Sequence, residues 1–203
     1  MKTGILGGTF DPVHLGHITI AENVRDELSL DEVLLIPAGV PMSRPNDRVT
    51  TASHRLNMVE IAVKGKKALK ASPIEIERPG PTYTVDTLEE LRKRGNEDDE
   101  IYFVLGSDTL QTIGTWKNPG RILELCRLVV VPRPGYQPLS DEELEKILPG
   151  LSKNIIVMKG PYLDISASQI RKRIAEGKPI SHLVPEGIEE YIRQHNLYRR
   201  EQK

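Results

Sequence analysis

The stretch ILGGTFDPVHLGH, residues 5–17, decides how this chain is read. Ile5 and Leu6 end a short apolar run, TGIL (3–6), that reads as a strand. A helical pattern opens near Leu15 or Gly16, with Ile18, Ala21, Val24 and Leu28 near one face of residues 16–28. Gly7 and Gly8 stand between the two, where absent Cβ atoms let backbone come close to a ligand. A helix start aims unpaired N–H groups at the same place, which makes an anion site. His14 and His17 are three residues apart and can face that site together. An ordinary strand-to-helix turn needs one glycine and a cap, and neither histidine. The spacing is not the G-x-G-x-x-G dinucleotide fingerprint, and no Lys-Ser/Thr of a phosphate loop follows, so a dinucleotide dehydrogenase and a Walker ATPase are disfavoured. H-x-G-H also lacks the i,i+4 spacing and glutamate of a zinc helix, and no third ligand of similar quality is evident, so protein ligands of a metal stay unknown.

Outward from this motif, strands and helices alternate. EVLLIPA (32–38), ASPIEIE (71–77), EIYFVLGSD (100–108), RLVVVPRPG (127–135) and NIIVMKG (154–160) read as further strands, the second at an edge because of Pro73. Helices are expected over 51–65, capped by Thr50 or Thr51 with Leu56, Val59 and Val63 on one face, and over 84–95, 139–148, 166–177 and 185–198. Asp108 can cap a short helix over 108–113. The strands are almost wholly apolar, as a sheet covered on both faces requires. The pattern predicts an α/β fold: a Rossmann-like, doubly wound, mostly parallel sheet flanked by helices, with a small C-terminal helical portion and one domain over 1–203. Ligands of such sheets sit beyond the carboxyl ends of the strands at a switch point. The Pro-rich segment 37–50 carries two arginines and is long enough to suggest function.

Lys+Arg is 28 and Asp+Glu is 29, which argues against bulk electrostatic binding to nucleic acid or a membrane surface. The single cysteine, Cys126, sits in an apolar run and reads as a small core residue. Neither a signal peptide nor a membrane span is expected, and a reducing cytoplasm is the simplest home.

A second constellation stands near the C-terminus, ISASQIRKR (165–173). A helix should open at Ser166 or Ala167, with the Ser166 and Ser168 hydroxyls at its start and Arg171 on the same face. Hydroxyls, helix N–H groups and a guanidinium together suit a phosphate chain. The plain alternative is an N-cap followed by a basic surface face.

GGTFDPVHLGH and ISASQIRKR together resemble the nucleotidyltransferase superfamily of small adenylyl- and cytidylyltransferases. YTVDTLEEL (83–91), LGSD (105–108) and TW (115–116) are similar to its bacterial nicotinate-nucleotide adenylyltransferase branch, in order and over essentially the whole chain. The resemblance implies ATP and nicotinate mononucleotide as substrates, deamido-NAD and pyrophosphate as products, and Mg²⁺ held mainly by phosphate. It implies catalytic roles for His14, His17 and Arg171. It places ATP against Gly7, Gly8, Thr9, Phe10, His14, Gly16, His17, Gly106, Asp108, Ile165, Ser166, Ser168 and Arg171. It places the acceptor against Arg44, Tyr83, Thr84, Val85, Trp116 and Lys117. Gly16 would leave room for a base or phosphate, Trp116 would stack on the pyridinium ring, and the helix start near Thr84 would favour the carboxylate.

Small-molecule partners are implied, without nucleic acid or membrane, and a homo-oligomer is left open. Other readings are phosphopantetheine adenylyltransferase, which usually has threonine for the first histidine, a dual-specificity nicotinamide/nicotinate enzyme, and a non-catalytic nucleotide-binding regulatory domain. Class I aminoacyl-tRNA synthetases share H-x-G-H, but 203 residues leave no room for tRNA-binding domains. One departure from the branch stands at Pro41-Met42-Ser43-Arg44, where Pro-x-His-Lys is usual: Arg44 can supply the cation, and Ser43 cannot replace an imidazole.

Overall fold

The first strand, β1 (Lys2–Gly8), shows why the sheet is covered on both sides: Ile5 packs into one hydrophobic core and Leu6 into another. The computed structural model describes residues 1–41, 49–133, 135, 140–147, 150, 152–160 and 164–199. After β1 come α1 (Leu15–Leu28), β2 (Glu32–Pro37), α2 (Ala52–Val63), β3 (Leu69–Ala71), the one-turn α3 (Ile74–Glu77) and α4 (Thr84–Arg94). The second half runs β4 (Glu100–Gly106), α5 (Ser107–Leu110), α6 (Pro119–Leu125), β5 (Arg127–Val131), α7 (Asp141–Ile147), β6 (Ile155–Val157), α8 (Ala167–Ala175) and α9 (Ile188–Gln194), with short 3-10 turns at Ile113–Thr115 and Ser152–Asn154.

The six strands lie in the order β3-β2-β1-β4-β5-β6, and every pair among them is parallel. The chain leaves β1 in one direction for β2 and β3, then returns to its other side for β4, β5 and β6. Connections therefore diverge at the carboxyl ends of β1 and β4, which opens a crevice there. The doubly wound, Rossmann-like fold expected from the sequence is thus present.

Each strand sends alternate residues to opposite faces. Leu6, Val104 and Val129 join Ile18, Val24, Met58, Ile170, Ile188 and Ile192 on the side of α1, α2, α8 and α9. Ile5, Phe103, Leu105, Leu128 and Val130 join Ile74, Val85, Leu88, Ile122 and Leu144 on the other. Cys126 is buried in this second core, where burial pushes its thiol up to about 12 and Sγ lies 3.2 Å from the Ile122 carbonyl.

Several expectations are corrected. Residues 71–77 are not one strand. The Ser72 N–H makes a ladder bond to the Leu35 carbonyl at 3.0 Å, and Pro73 has no N–H to continue it. The Ile76 and Glu77 N–H groups turn back to the Pro73 carbonyl at 2.8 and 3.0 Å, forming α3. The strand expected over 127–135 ends at Val131, before Pro132. In place of one helix over 108–113 there are α5 and a 3-10 turn. The helix α6, with Pro119 at its first position, was absent from the sequence reading; Pro in that position is a start signal. On α2 the buried face is Arg55, Met58, Val59 and Ala62, rotated from the expected Leu56, Val59 and Val63.

Candidate active site

The loop Thr9–Val13 crosses the crevice beyond β1 and delivers His14 as the N-cap of α1. His14 is 4 % exposed, and its ring stacks on that of His17 with centroids 3.6 Å apart; Phe10 meets His17 edge-on at 4.8 Å. The backbone N–H of His14 donates to His17 Nδ1 at 3.2 Å. An Nδ1 that accepts carries no proton, so a neutral His17 keeps its proton on Nε2 and remains a donor there. Burial, then the nearby Arg133, holds His14 at about 4, below its usual 6.5. Burial, then His14, then Arg133, lowers His17 well below the same value. Both rings are therefore neutral near pH 7. His14 Nδ1 is buried with no protein hydrogen-bond partner. Gly16 has a different task from the one expected: a Cβ there would lie 3.0 Å from His14 Nδ1 and 3.7 Å from the Ile165 Cβ, so its bareness lets the imidazole fit.

His14 and His17 line a cavity of about 350 Å³ with Gly7, Gly8, Thr9, Phe10 and Gly106. Ile165, Ser166 and Ser168 at the start of α8 close it from the C-terminal side. Ser166 is the N-cap: its Oγ accepts from the Gln169 N–H at 3.2 Å and lies 3.1 Å from Ser168 Oγ. The plain cap and the cavity wall are thus the same residue. Arg133 lines the cavity too, half-buried beyond β5, with its N–H donating to Ser107 Oγ at 3.0 Å. Asp108 folds back over Gly106, whose hypothetical Cβ would lie 2.2 Å from Asp108 Oδ1, and this oxygen is buried without a hydrogen-bond partner. Arg171 does not line the cavity; it stands behind the loop, Nη1 donating to the Asp11 carbonyl at 2.8 Å.

A second cavity, about 640 Å³, shares the Gly7-Gly8-Thr9 wall and Trp116 with the first. Tyr83, Thr84, Trp116 and Lys117 line it, together with Glu75 and Thr82. Thr84 is the first residue of α4, so that helix points its N-terminus into this cavity. Trp116 is half-buried, held edge-on by Phe103 at 6.1 Å. Lys117 Nζ pairs with Asp86 at 2.8 Å and lies 4.7 Å over the Tyr83 ring. Val85 is 2 % exposed, packs into the core and does not line this cavity. Arg44 and Ser43 fall outside the described residues.

The cytidylyltransferase-like family profile matches residues 5–173, from β1 through the basic turn of α8. The chain belongs to this family. Among curated relatives, a "Probable nicotinate-nucleotide adenylyltransferase" of Dehalococcoides mccartyi is 45% identical over 201 residues, covering 99% of this chain and 98% of the relative. One of the same name from Thermoanaerobacter sp. is 41% identical, covering 100% and 97%. Among solved structures, the nicotinic acid mononucleotide adenylyltransferase of Plasmodium falciparum in complex with NaAD shares the fold, with TM-score 0.80, 22% identity and 97% of each chain covered.

For a member of the cytidylyltransferase-like family, the site holds more than the motifs displayed. Arg133 and Glu75 line the two cavities and Arg55 holds carbonyls of their walls, although none of the three stands in a motif named above. Glu75 lies in the I-E-I-E alternation that mimics a strand. Arg55 had a readable signal: R-x-x-M-V-x-x-A puts it on the apolar face of α2. Thr109 and Thr112, which also line the second cavity, sit in no recognisable pattern.

Proposed function

We propose that this chain transfers the adenylyl group of ATP to nicotinate mononucleotide, forming deamido-NAD and releasing pyrophosphate. One observation carries the reading: two cavities meet along Gly7-Gly8-Thr9, one furnished for phosphates and the other with Trp116 and a helix N-terminus. Full-length relatives at 41–45% identity bear the corresponding name, which supports it.

In this reading a phosphate oxygen of the acceptor attacks the α-phosphorus of ATP, and the bond from that phosphorus to the bridging oxygen of the leaving pyrophosphate breaks. The attacking phosphate is already ionised, so the site supplies placement and charge neutralisation in place of a strong base. The neutral imidazoles serve as donors: His17 through Nε2, His14 through whichever ring nitrogen carries its proton. Ser168, the α8 N–H groups and Arg133 receive the pyrophosphate portion. Arg171 supports this indirectly, by holding the Asp11 carbonyl and hence the loop.

Among the described residues, no group of three or more His, Cys, Asp or Glu is placed to hold a metal ion. Asp11 is the one carboxylate lining the first cavity among the described residues, and its Oδ1 accepts from Tyr198 OH at 2.6 Å; the other polar side chains there are neutral or cationic, so Mg²⁺ would be carried mainly by the triphosphate with most of its waters. Such an ion would neutralise phosphate charge.

The test is pyrophosphate release from ATP and Mg²⁺ with nicotinate mononucleotide, its nicotinamide counterpart or phosphopantetheine as acceptor. One or two charge-assisted hydrogen bonds to the carboxylate, worth roughly 1.5–3 kcal/mol each, give nicotinate mononucleotide at least about a tenfold higher kcat/KM. Equal values for the two pyridine nucleotides refute the carboxylate preference, and turnover with phosphopantetheine alone refutes the assignment.

A further inference from the structure

Arg55 is the largest fully buried side chain of the described residues, 1 % exposed, on the core-facing side of α2. Its guanidinium fans across three separate segments. Nε donates to the Thr50 carbonyl at 2.9 Å, Nη1 to the Thr9 carbonyl at 2.9 Å and Nη2 to the Gly39 carbonyl at 3.1 Å. Thr9 belongs to the wall that both cavities share. Gly39 follows β2 between Ala38 and Pro41, both of which line the second cavity. A Cβ on Gly39 would lie 2.3 Å from the Glu75 carbonyl oxygen, so Gly39 and Glu75 cannot shift independently.

We propose that Arg55 is a positioning residue for the acceptor: it ties the walls of the second cavity to the shared nucleotide loop and so sets where the attacking phosphate sits. Burying a cation costs free energy that an apolar side chain of similar length would avoid. What only arginine supplies is a planar fork able to reach three diverging carbonyls at once. Lysine, with a single ammonium, cannot span them. Of the three bonds, the one to Gly39 falls on the acceptor side and the one to Thr9 on the shared wall, while Thr50 sits beside the nucleotide loop, its N–H 3.4 Å from Asp11 Oδ2. The nucleotide loop has further anchors that do not involve Arg55: Arg171 Nη1 on the Asp11 carbonyl at 2.8 Å and Tyr198 OH on Asp11 Oδ1 at 2.6 Å. Loss of the fork therefore acts unequally on the two substrates.

The proposal rests on reading the second cavity as the acceptor's, which turnover of the unaltered protein with nicotinate mononucleotide tests separately in the same assay. Arg55→Lys and Arg55→Met are assayed well below their own melting temperatures, with each substrate varied at saturating partner. Misplacement by a fraction of an ångström to an ångström is enough to cost up to about a hundredfold in rate. The expected result is a fall in kcat/KM for nicotinate mononucleotide of roughly tenfold to a hundredfold. KM for ATP should change by less than about threefold, and Lys should retain more activity than Met. A purely structural residue lowers the melting temperature and leaves the KM of both substrates alone in the folded fraction, and that result overturns the proposal. So does an equal rise in both KM values. Failure of both variants to fold also overturns it, because Arg55 would then serve the fold as a whole.

Discussion

Replacing Glu75 with glutamine should stabilise the protein at alkaline pH and leave it nearly unchanged near pH 5. Glu75 is 8 % exposed and lines the second cavity. Its Oε1 accepts from Thr87 Oγ1 at 2.8 Å, and Thr87 in turn accepts from Arg78 Nη2 at 2.7 Å. Burial raises the carboxyl from 4.5 to about 7, against smaller lowering effects of Thr87, Arg78 and Arg55. A raised value means that the folded chain holds this proton more tightly than the unfolded chain. The contribution is therefore full below about 4.5 and lost as pH rises through about 7. Moving a carboxyl from 4.5 to about 7 corresponds to something on the order of 3 kcal/mol, at about 1.36 kcal/mol per tenfold. For a chain of this size that is roughly 6–12 °C in Tm. His14 acts with the opposite sign: held at about 4, it contributes stability present above 6.5 and lost as pH falls toward 4. It does so equally in both proteins, so the difference between them isolates Glu75. The assay is calorimetric melting of both proteins from pH 5 to 8.5. The gap should be near zero at pH 5 and reach several degrees at pH 8.5. KM for nicotinate mononucleotide should also rise above pH 7 in the unaltered protein alone, because an ionised Glu75 repels a carboxylate in the same cavity. A Tm gap that is the same at every pH refutes the reasoning.

Two further substitutions test the site. His17→Asn keeps an acceptor for the His14 N–H and removes Nε2, so kcat should fall by about 10²–10³ while Tm stays within a few degrees; near-unchanged kcat would remove His17 from the chemistry. Gly39→Ala forces a Cβ against the Glu75 backbone, which cannot yield as a side chain can; a loss of about 1–3 kcal/mol in thermal melts and a higher acceptor KM are expected, and a cost under about 0.5 kcal/mol contradicts the geometry.

Much of this protein is legible along the chain. Apolar strand runs alternating with 3.6-residue periodicity place β1, α1, β2, α4, β4 and α8 within a few residues, because each element's pattern is written locally. The turn after β1 and the N-cap of α8 are equally local, since a cap lies within a few residues of the groups it satisfies. Local reading fails where a pattern is ambiguous at short length. I-E-I-E over 74–77 alternates like a strand, and only the end of the β3 ladder at Pro73 turns it into a helical turn. The buried face of α2 lies one residue aside from the Leu56, Val59 and Val63 stripe, because Arg55 and Met58 turn inward with Val59 and Ala62.

By itself, the sequence determined the doubly wound sheet, the histidines in the turn after β1 and the serines at the start of α8; the strand order then placed the crevice beyond β1 and β4. Only the tertiary structure decided what those groups can do. Arg171 meets a carbonyl 160 positions away, Tyr198 a carboxylate 187 away, and Arg55 collects carbonyls 46, 16 and 5 positions away. The neutral state of His14 and the raised Glu75 arise in the same way, from burial by elements distant in sequence. Periodicity and capping are near-neighbour effects along the backbone, whereas burial and the polar groups around a charge are set by which distant segments pack together, and these fix its protonation and its partners.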